Sequence, residues 1–162
     1  DDEPINEVLD AFIAAQLNES GFLLLITGRP KFAKLHQAQH YYEKYGIKFL
    51  GFVSEENYWS LLKNACFIID LTTRDNCMVC GAYEALAVQR PLLLSNNQAS
   101  VDYFGPGLTY TDNSKADIQD KLSYMSSNLE ELDAKVVETV KMVLQKQNEN
   151  LINIRLLIEK NS

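Results

Sequence analysis

The sequence predicts an α/β fold in three layers (α/β/α), built on a doubly wound parallel sheet. Strand-like and helix-like segments alternate along its 162 residues, with short connections between them. The strand-like segments are nearly continuous apolar runs, as expected for parallel strands that are buried on both faces. Hydrophobic residues make up 46% of the chain, so one domain can bury a core without metals or disulfides. We therefore treat residues 1–162 as a single domain.

Five segments are predicted as strands because each is a short apolar run bounded by residues that break regular structure. They are residues 22–27, 47–50, 66–71, 91–95 and 108–111. The third run contains Cys66, which we expect to be an inert core thiol, and one acidic residue, Asp70. A doubly wound sheet normally begins with a strand, whereas this chain opens on a helix. We therefore expect a first strand upstream of Asp1 and interpret the chain as a fragment of a larger protein.

Helices are predicted between and after the strands, where apolar residues recur three and four positions apart. They cover residues 5–17, 32–45, 54–65, 81–88, 99–104, 116–125 and 129–159. Ser54 is the expected N-cap of the third helix, because a serine hydroxyl accepts a hydrogen bond from a free backbone N–H. The small residues of the fourth helix allow close packing on a sheet. The last helix is long for a small domain, so we expect it to pack against something outside this chain.

Charge and composition exclude several classes of function. The formal net charge is −7 and no basic stripe is present, which argues against nucleic acid as a partner. No apolar run is long enough to span a bilayer, and no signal peptide is recognisable. The three cysteines, an odd number, indicate a reducing, cytoplasmic setting.

Ligands of an open parallel sheet bind beyond the carboxyl ends of its strands. This rule selects the loops at residues 28–31, 51–54, 72–81 and 95–99. The loop at 72–81 leads into a helix that starts near Cys80 and Gly81, where unpaired backbone N–H groups can bind phosphate.

Glu84 follows one turn into the same helix. Its carboxylate can accept two hydrogen bonds from a ribose diol; the alternative is a glutamate on a solvated helix face. Arg29 follows a buried strand and could neutralise a departing diphosphate, or it is a solvated loop charge. Cys77 and Cys80 have the spacing of a redox motif, but a zinc site needs further ligands, so we predict no metal.

Residues 47–104 carry motifs that are similar to those of a known family. A "GFV" turn at 51–53 precedes a helix, a strand and a polar loop, and "EALAVQRP" occupies 84–91. This order resembles the C-terminal donor-binding domain of retaining GT-B glycosyltransferases (glycosyltransferase group 1, family 4-like). The "DEPI" of residues 2–5 and the "YTDNSKADI" of residues 110–118 are similar to one subgroup of these enzymes, so the resemblance covers nearly the whole chain.

The resemblance implies a Rossmann-like fold that is one half of a GT-B enzyme, and it implies roles for individual residues. Glu84 matches the glutamate that holds the ribose, and Asn76 stands where the family has a first glutamate that contacts the donor sugar. An asparagine can hydrogen-bond to sugar hydroxyls but contributes no charge. The implied donor-binding residues are Phe52, Val53, Thr73, Cys80, Gly81 and Glu84. The implied catalytic residues are Arg29, Asn76 and Glu84.

The resemblance further implies a hexosyltransferase that moves a sugar from a nucleoside-diphosphate sugar to a glycan or lipid-linked acceptor, with retention, in polysaccharide biosynthesis. It implies no cofactor. The missing N-terminal half would bind the acceptor, so we expect the isolated chain to be inactive; peripheral membrane association of the parent enzyme stays open. The main alternative is a non-catalytic nucleotide-binding or regulatory α/β domain, which Asn76 favours. A receiver- or flavodoxin-like signalling domain and a sugar-nucleotide epimerase are further alternatives.

Overall fold

Helices and parallel strands alternate along the chain in a computed structural model that describes residues 2–28 and 35–160. The strands are β1 (Leu24–Thr27), β2 (Ile47–Gly51), β3 (Ile68–Asp70), β4 (Leu92–Ser95) and β5 (Thr109–Thr111). The helices are α1 (Ile5–Ala14), α2 (Leu35–Glu43), α3 (Glu55–Asn64), α4 (Cys80–Ala87), α5 (Gln98–Phe104), α6 (Lys115–Ser127) and α7 (Leu129–Lys160). Short 3-10 helices follow α1 (Leu17–Ser20) and α5 (Gly105–Gly107). The predicted α/β alternation is confirmed.

The strands form two hydrogen-bonded sheets rather than one. β1 pairs with β2, and β3, β4 and β5 pair in that order, every pair being parallel. The parallel arrangement agrees with the prediction from continuous apolar runs. The division of the sheet between β1 and β3 does not follow from those runs, because a run of apolar residues does not specify its neighbours.

One hydrophobic core lies between the strands and helices α1 and α6. Leu9 and Phe12 on α1 meet Ile118, Leu122 and Met125 on α6, and all five are almost fully buried. The three- and four-residue spacing on each helix places these side chains on one face. Residues of β1, β2, β3 and β4 join the same core, so it connects the two sheets.

A second core lies under α4, α5 and α7. Ala82 and Ala85 on α4 have no exposed surface, and Val136 and Val143 on α7 are buried near Phe104. The small alanine side chains let α4 approach β4 closely, as the sequence predicts. The two cores together cover β4 on both faces.

Side-chain caps begin three of the described helices, and one of them, Ser54, was predicted from the sequence. Ser54 Oγ accepts a hydrogen bond from the Asn57 N–H at the start of α3, at 3.3 Å. Asn97 and Ser114 cap α5 and α6 in the same way. One local prediction is wrong: Cys66 is exposed, because it lies in the turn that precedes β3.

The last helix, α7, extends past the body of the domain. Large apolar side chains at Leu144, Leu151, Ile152, Ile154 and Leu156 are exposed along it. That α7 packs against something outside this chain stays a prediction. Within the described residues, no helix combines the length and apolar character needed to cross a membrane.

Candidate functional site

A hydrogen-bonded triad ties together the carboxyl ends of the three strands β3, β4 and β5. The Thr72 N–H donates to Ser95 Oγ at 2.9 Å, and the Ser95 hydroxyl donates to Asn113 Oδ1 at 2.8 Å. Asn113 Nδ2 donates back to the Thr72 carbonyl at 2.9 Å. Thr72 and Ser95 are buried, so these bonds replace water for groups that must be satisfied. These hydrogen bonds therefore fix the positions at which the loops leave this edge of the sheet.

The loop after β3 is held at two points. Near its start, the Thr73 N–H donates to the Asp2 carbonyl at 2.6 Å. Near its end, Asn97 Nδ2 donates to the Cys77 carbonyl at 3.1 Å. Between them, Asn76 is exposed and has a φ of +52°, a left-handed conformation that asparagine adopts more readily than most residues. The backbone thus gives a local reason for asparagine, rather than glutamate, at position 76.

A carboxylate on β3, that of Asp70, caps the first turn of α4. Val79 is extended, and no side chain of its own caps the helix. Instead, the Asp70 carboxylate accepts a hydrogen bond from the Gly81 backbone N–H. A Cβ at residue 81 would collide with the Asp70 carboxylate, which explains the glycine. Of the two residues expected to meet a phosphate, Cys80 is exposed while the Gly81 N–H faces Asp70.

Burial raises the pKa of Asp70 to about 6. The negative charges of Glu3 and Glu84 raise this pKa further, and the hydrogen bond from Gly81 opposes them. The side chain is therefore largely ionised at pH 7.5 and largely protonated at pH 5. The start of α4 carries an acidic group whose charge depends on pH.

Glu84 is held by a tyrosine of α3. The Tyr58 hydroxyl donates to Glu84 Oε2 at 2.5 Å, and burial together with this hydrogen bond raises the Tyr58 pKa above its usual value. Glu84 is half-buried, so it does not lie on a freely solvated helix face. Among the described residues, Oε1 of Glu84 receives no hydrogen bond. One carboxylate oxygen orients the side chain and the other can accept a ligand hydroxyl.

The turn after β2 lies at the start of α3, the helix that carries Tyr58. Phe52 in this turn is 78% exposed, and Val53 is half-buried. Arg90, just after α4, donates two hydrogen bonds to the Lys63 carbonyl near the end of α3, at 2.7 and 3.0 Å. Contacts near both ends of α3 thus attach it to the α4 segment.

The structure therefore brings together most of the residues singled out in the sequence. The loop after β3 and the first turns of α4 hold Thr73, Asn76, Cys80, Gly81 and Glu84. Phe52 and Val53 are connected to this group through α3. Arg29 lies outside the described residues.

Two residues of this region were not identified as site residues from the sequence: Asp70 and Tyr58. Asp70 had a recognisable signal, because it is a charged residue in a buried apolar strand. Tyr58 had none, since its contact with Glu84 depends on how α3 packs beside α4. Within the described part of the chain, no three His, Cys, Asp or Glu side chains are grouped so that they could hold a metal ion. Cys77 and Cys80 are both free thiols.

The fold is similar to that of solved glycosyltransferases. The catalytic domain of a cholesterol-α-glucosyltransferase from Helicobacter pylori matches with a TM-score of 0.65 and 16% identity, over 87% of this chain and 89% of that chain. HepE from Anabaena, solved in complex with UDP-glucose, matches with a TM-score of 0.60 and 14% identity, over 88% and 44%. The N-terminal domain of a Candida albicans trehalose-6-phosphate phosphatase matches with a TM-score of 0.65 and 13% identity, over 95% and 39%.

The sequence matches no protein-family model and no curated protein. The chain spans less than half the length of the Candida and Anabaena chains. At this level of identity, the similarity concerns the fold. The chain has the Rossmann-like fold of a GT-B half domain.

Proposed function

We propose that this chain is the donor-binding half of a glycosyltransferase that uses a nucleoside-diphosphate sugar. The observation that carries the proposal is Glu84, a half-buried carboxylate held by Tyr58 beside the exposed start of α4. This pair lies at the carboxyl edge of the parallel strands, where such folds bind ligands. The similar HepE structure contains UDP-glucose, which supports a ligand of this class.

Each side chain of the region then has a role in binding the donor. Glu84 Oε1 accepts hydrogen bonds from the ribose hydroxyls, and the Cys80 N–H and Thr73 contact the diphosphate. Asn76 hydrogen-bonds to the transferred sugar, while Phe52 and Val53 line the base. Arg29 stabilises the negative charge that develops on the departing diphosphate. The donor is the substrate, and the proposal includes no cofactor or metal.

The proposed reaction requires a second half domain. We propose that an N-terminal half of the same enzyme binds a glycan or lipid-linked acceptor and that the cleft closes between the halves. Hexosyl transfer would proceed with retention, in polysaccharide biosynthesis and on the cytoplasmic side, where the free thiols stay reduced. The parent enzyme could associate peripherally with a membrane. The chain by itself binds donor weakly and transfers no sugar.

The proposal is tested by nucleotide binding to the isolated chain. Uridine, guanosine and adenosine diphosphates are titrated calorimetrically against the wild type and the Glu84→Ala variant. We expect one nucleotide to bind, and the substitution to weaken it at least tenfold, because hydrogen bonds to a charged group contribute about 1.5–3 kcal/mol. Glu138→Ala removes an exposed glutamate of α7 and should leave the affinity unchanged. Equal affinity of the wild type and Glu84→Ala would exclude the proposed role.

A non-catalytic nucleotide-binding or regulatory domain is the second candidate. Two observations favour it: Asn76 carries no charge, and Asp70 already occupies the Gly81 N–H where a phosphate could bind. The similar Candida domain belongs to a protein that is named as a phosphatase. Sugar transfer by the full-length enzyme that is lost in Glu84→Ala would decide for the transferase, and nucleotide binding without any transfer would decide for the second candidate.

A further inference from the structure

Carboxylates outnumber cations among the described residues at the carboxyl edge of the strands. Asp70 and Glu84 both lie beside the first turn of α4. The described residues that follow the strands are 28, 52–54, 71–79, 96–97 and 112–114, and the one Lys or Arg among them is Arg74. A diphosphate bound at this edge needs a positive charge to offset the carboxylates, and the Arg74 guanidinium carries one.

Arg74 extends from a loop whose first residues are held in place. The Thr72 N–H donates to Ser95 Oγ, and Asn113 Nδ2 donates to the Thr72 carbonyl, both at 2.9 Å. The Arg74 N–H donates to the Thr72 hydroxyl at 3.2 Å. The backbone of Arg74 is therefore fixed beside Thr73, which the proposed function already places on the diphosphate.

One acidic residue occupies donors of both Thr73 and Arg74. The Asp2 carbonyl accepts hydrogen bonds from the Thr73 N–H and hydroxyl, at 2.6 and 3.3 Å. The Asp2 carboxylate pairs with Nε of Arg74, at 2.9 Å. Three neighbouring donors of the loop therefore converge on the oxygens of a single residue. Convergent donors of this kind, with a guanidinium among them, suit the oxygens of a phosphate.

The cluster around Asp2 borders the start of α4. Burial raises the pKa of Asp70, and the negative charge of Glu3 raises it further, so Glu3 lies close to that carboxylate. Asp70 in turn accepts a hydrogen bond from the Gly81 N–H, in the first turn of α4. The convergent donors of the loop and the helix start at which we place the diphosphate therefore belong to one region.

The ion pair between Arg74 and Asp2 can be exchanged at little cost. The two side chains are 67% and 44% exposed, and exposed ion pairs contribute little to stability because water and salt compete with them. A guanidinium carries five N–H donors in a planar fork that matches the oxygens of phosphate. Arg74 can therefore turn from Asp2 to a phosphate without disturbing the buried part of the domain.

Arg90, the arginine that follows α4, is committed to a different contact. Its guanidinium donates two hydrogen bonds to the Lys63 carbonyl, at 2.7 and 3.0 Å. It also lies beyond the C-terminal end of α4, whereas the diphosphate is placed at the helix start. Arg90 thus attaches α3 to the α4 segment, and Arg74 is left as the phosphate partner in the described loops.

We propose that Arg74 is a phosphate-binding residue of the donor site and that its guanidinium exchanges the Asp2 carboxylate for the diphosphate of the donor. Until the donor binds, Asp2 holds Arg74 beside the site and offsets its charge. The inference rests on the proposed function, because it names the side chain that distinguishes the diphosphate of that donor from an uncharged nucleoside.

The test compares a nucleoside diphosphate with the matching nucleoside by calorimetric titration of this chain. Uridine, guanosine and adenosine compounds are used with the wild type, Arg74→Gln and Lys141→Gln. Arg74→Gln should weaken the bound diphosphate about tenfold or more, because it removes hydrogen bonds between charged groups. The affinity for the nucleoside should not change.

Lys141→Gln is the matched control. Lys141 is also 67% exposed and paired with a glutamate, Glu138, so its replacement changes the net charge by the same amount. The diphosphate affinity should change by less than about twofold at physiological ionic strength, where exposed charges are screened. An unchanged diphosphate affinity in Arg74→Gln would overturn the proposal. An equal loss for diphosphate and nucleoside would also overturn it, because it would indicate a structural effect.

Asp2→Asn tests the exchange of partners. Removing the competing carboxylate should raise the diphosphate affinity about twofold or more, a small gain because the ion pair is exposed. An unchanged or lower affinity would overturn the exchange. If the wild type binds none of the three diphosphates, the proposed function fails as well. If one binds and requires Glu84 but not Arg74, this inference alone fails.

Discussion

Asp70 and Glu84 place two carboxylates beside the first turn of α4, the helix start at which we propose that the donor diphosphate binds. Asp70 also takes up the Gly81 N–H, one of the groups that would otherwise bind a phosphate. A diphosphate bound at this position would therefore meet a negative charge from the protein itself. Asp70 should set how strongly the phosphates, but not the nucleoside, are bound.

Asp70→Asn is expected to raise the affinity for a nucleoside diphosphate at least fivefold, because the repulsion between two negative charges about 4 Å apart is about 1 kcal/mol even in bulk water and larger near a protein surface. Asparagine keeps an acceptor for the Gly81 N–H. Affinity for the matching nucleoside should not change. Calorimetric titration measures both, with Asp75→Asn in the exposed part of the loop as the control. An equal gain for nucleoside and diphosphate would show that charge repulsion is not the cause.

The raised pKa of Asp70 predicts a pH-dependent stability. Below the ordinary pKa near 3.8, Asp70 is protonated in both the folded and unfolded states and has no effect. Between there and about 6, the unfolded chain loses the proton while the folded chain keeps it, so the free energy of unfolding falls as pH rises. Above pH 6 the free energy of unfolding is lowered by the full amount, which is on the order of 2 kcal/mol after allowing for solvent screening.

Urea unfolding of the wild type and Asp70→Asn between pH 4 and pH 7.5 measures this effect. The variant should become the more stable of the two as pH rises through this range, since its side chain does not ionise. A difference in unfolding free energy that is constant with pH would contradict the assigned pKa.

At the scale of secondary-structure elements, the Thr72–Ser95–Asn113 triad holds the site edge together. Ser95→Ala leaves the buried Thr72 N–H without an acceptor and should lower the free energy of unfolding by about 1–3 kcal/mol. Chemical denaturation measures the loss. Ser123→Ala, an exposed serine of α6, should change stability by less than about 0.5 kcal/mol. Similar small effects of both substitutions would mean that the triad does not stabilise the strand ends.

The elements themselves were largely predictable from the sequence, because hydrophobic spacing and capping residues act locally. Ser54 caps α3 as expected, and β4 lies within its predicted run. The prediction that Cys66 is a core thiol of the third strand was wrong, because apolar character alone does not separate a strand from the turn before it. The division of the sheet was not predictable, because it depends on which strand lies beside β1 rather than on β1 itself.

In the candidate site, too, local features were predictable from the sequence and contacts between distant residues were not. The loop after β3 and Glu84 were predictable because they follow a strand and open a helix, which places them at the ligand edge. The Tyr58–Glu84 and Asp70–Gly81 contacts join residues that are 26 and 11 positions apart. Contacts of this kind arise from the packing of α3, β3 and α4, which a single sequence does not show.

For the molecule as a whole, we propose that the domain works with further polypeptide, and three features support this proposal. The sheet is open between β1 and β3, the last half of α7 exposes large apolar side chains, and the similar Anabaena chain is more than twice as long as the region matched here. In the proposed enzyme, the chain supplies one wall of a cleft. We propose that the donor binds to that wall at the carboxyl edge of the strands and that the acceptor binds to the other wall.

We propose above all that a nucleoside diphosphate binds where Cys80 begins α4, with Glu84 on its ribose. The most direct test of this proposal is the amide NMR spectrum of the isotope-labelled chain, recorded while uridine, guanosine or adenosine diphosphate is added. We expect one nucleotide to shift the signals of Thr73, Cys80 and Glu84, while signals from the end of α7 stay in place. Shifts confined to residues away from this edge, or no shifts with any of the three nucleotides, would contradict it.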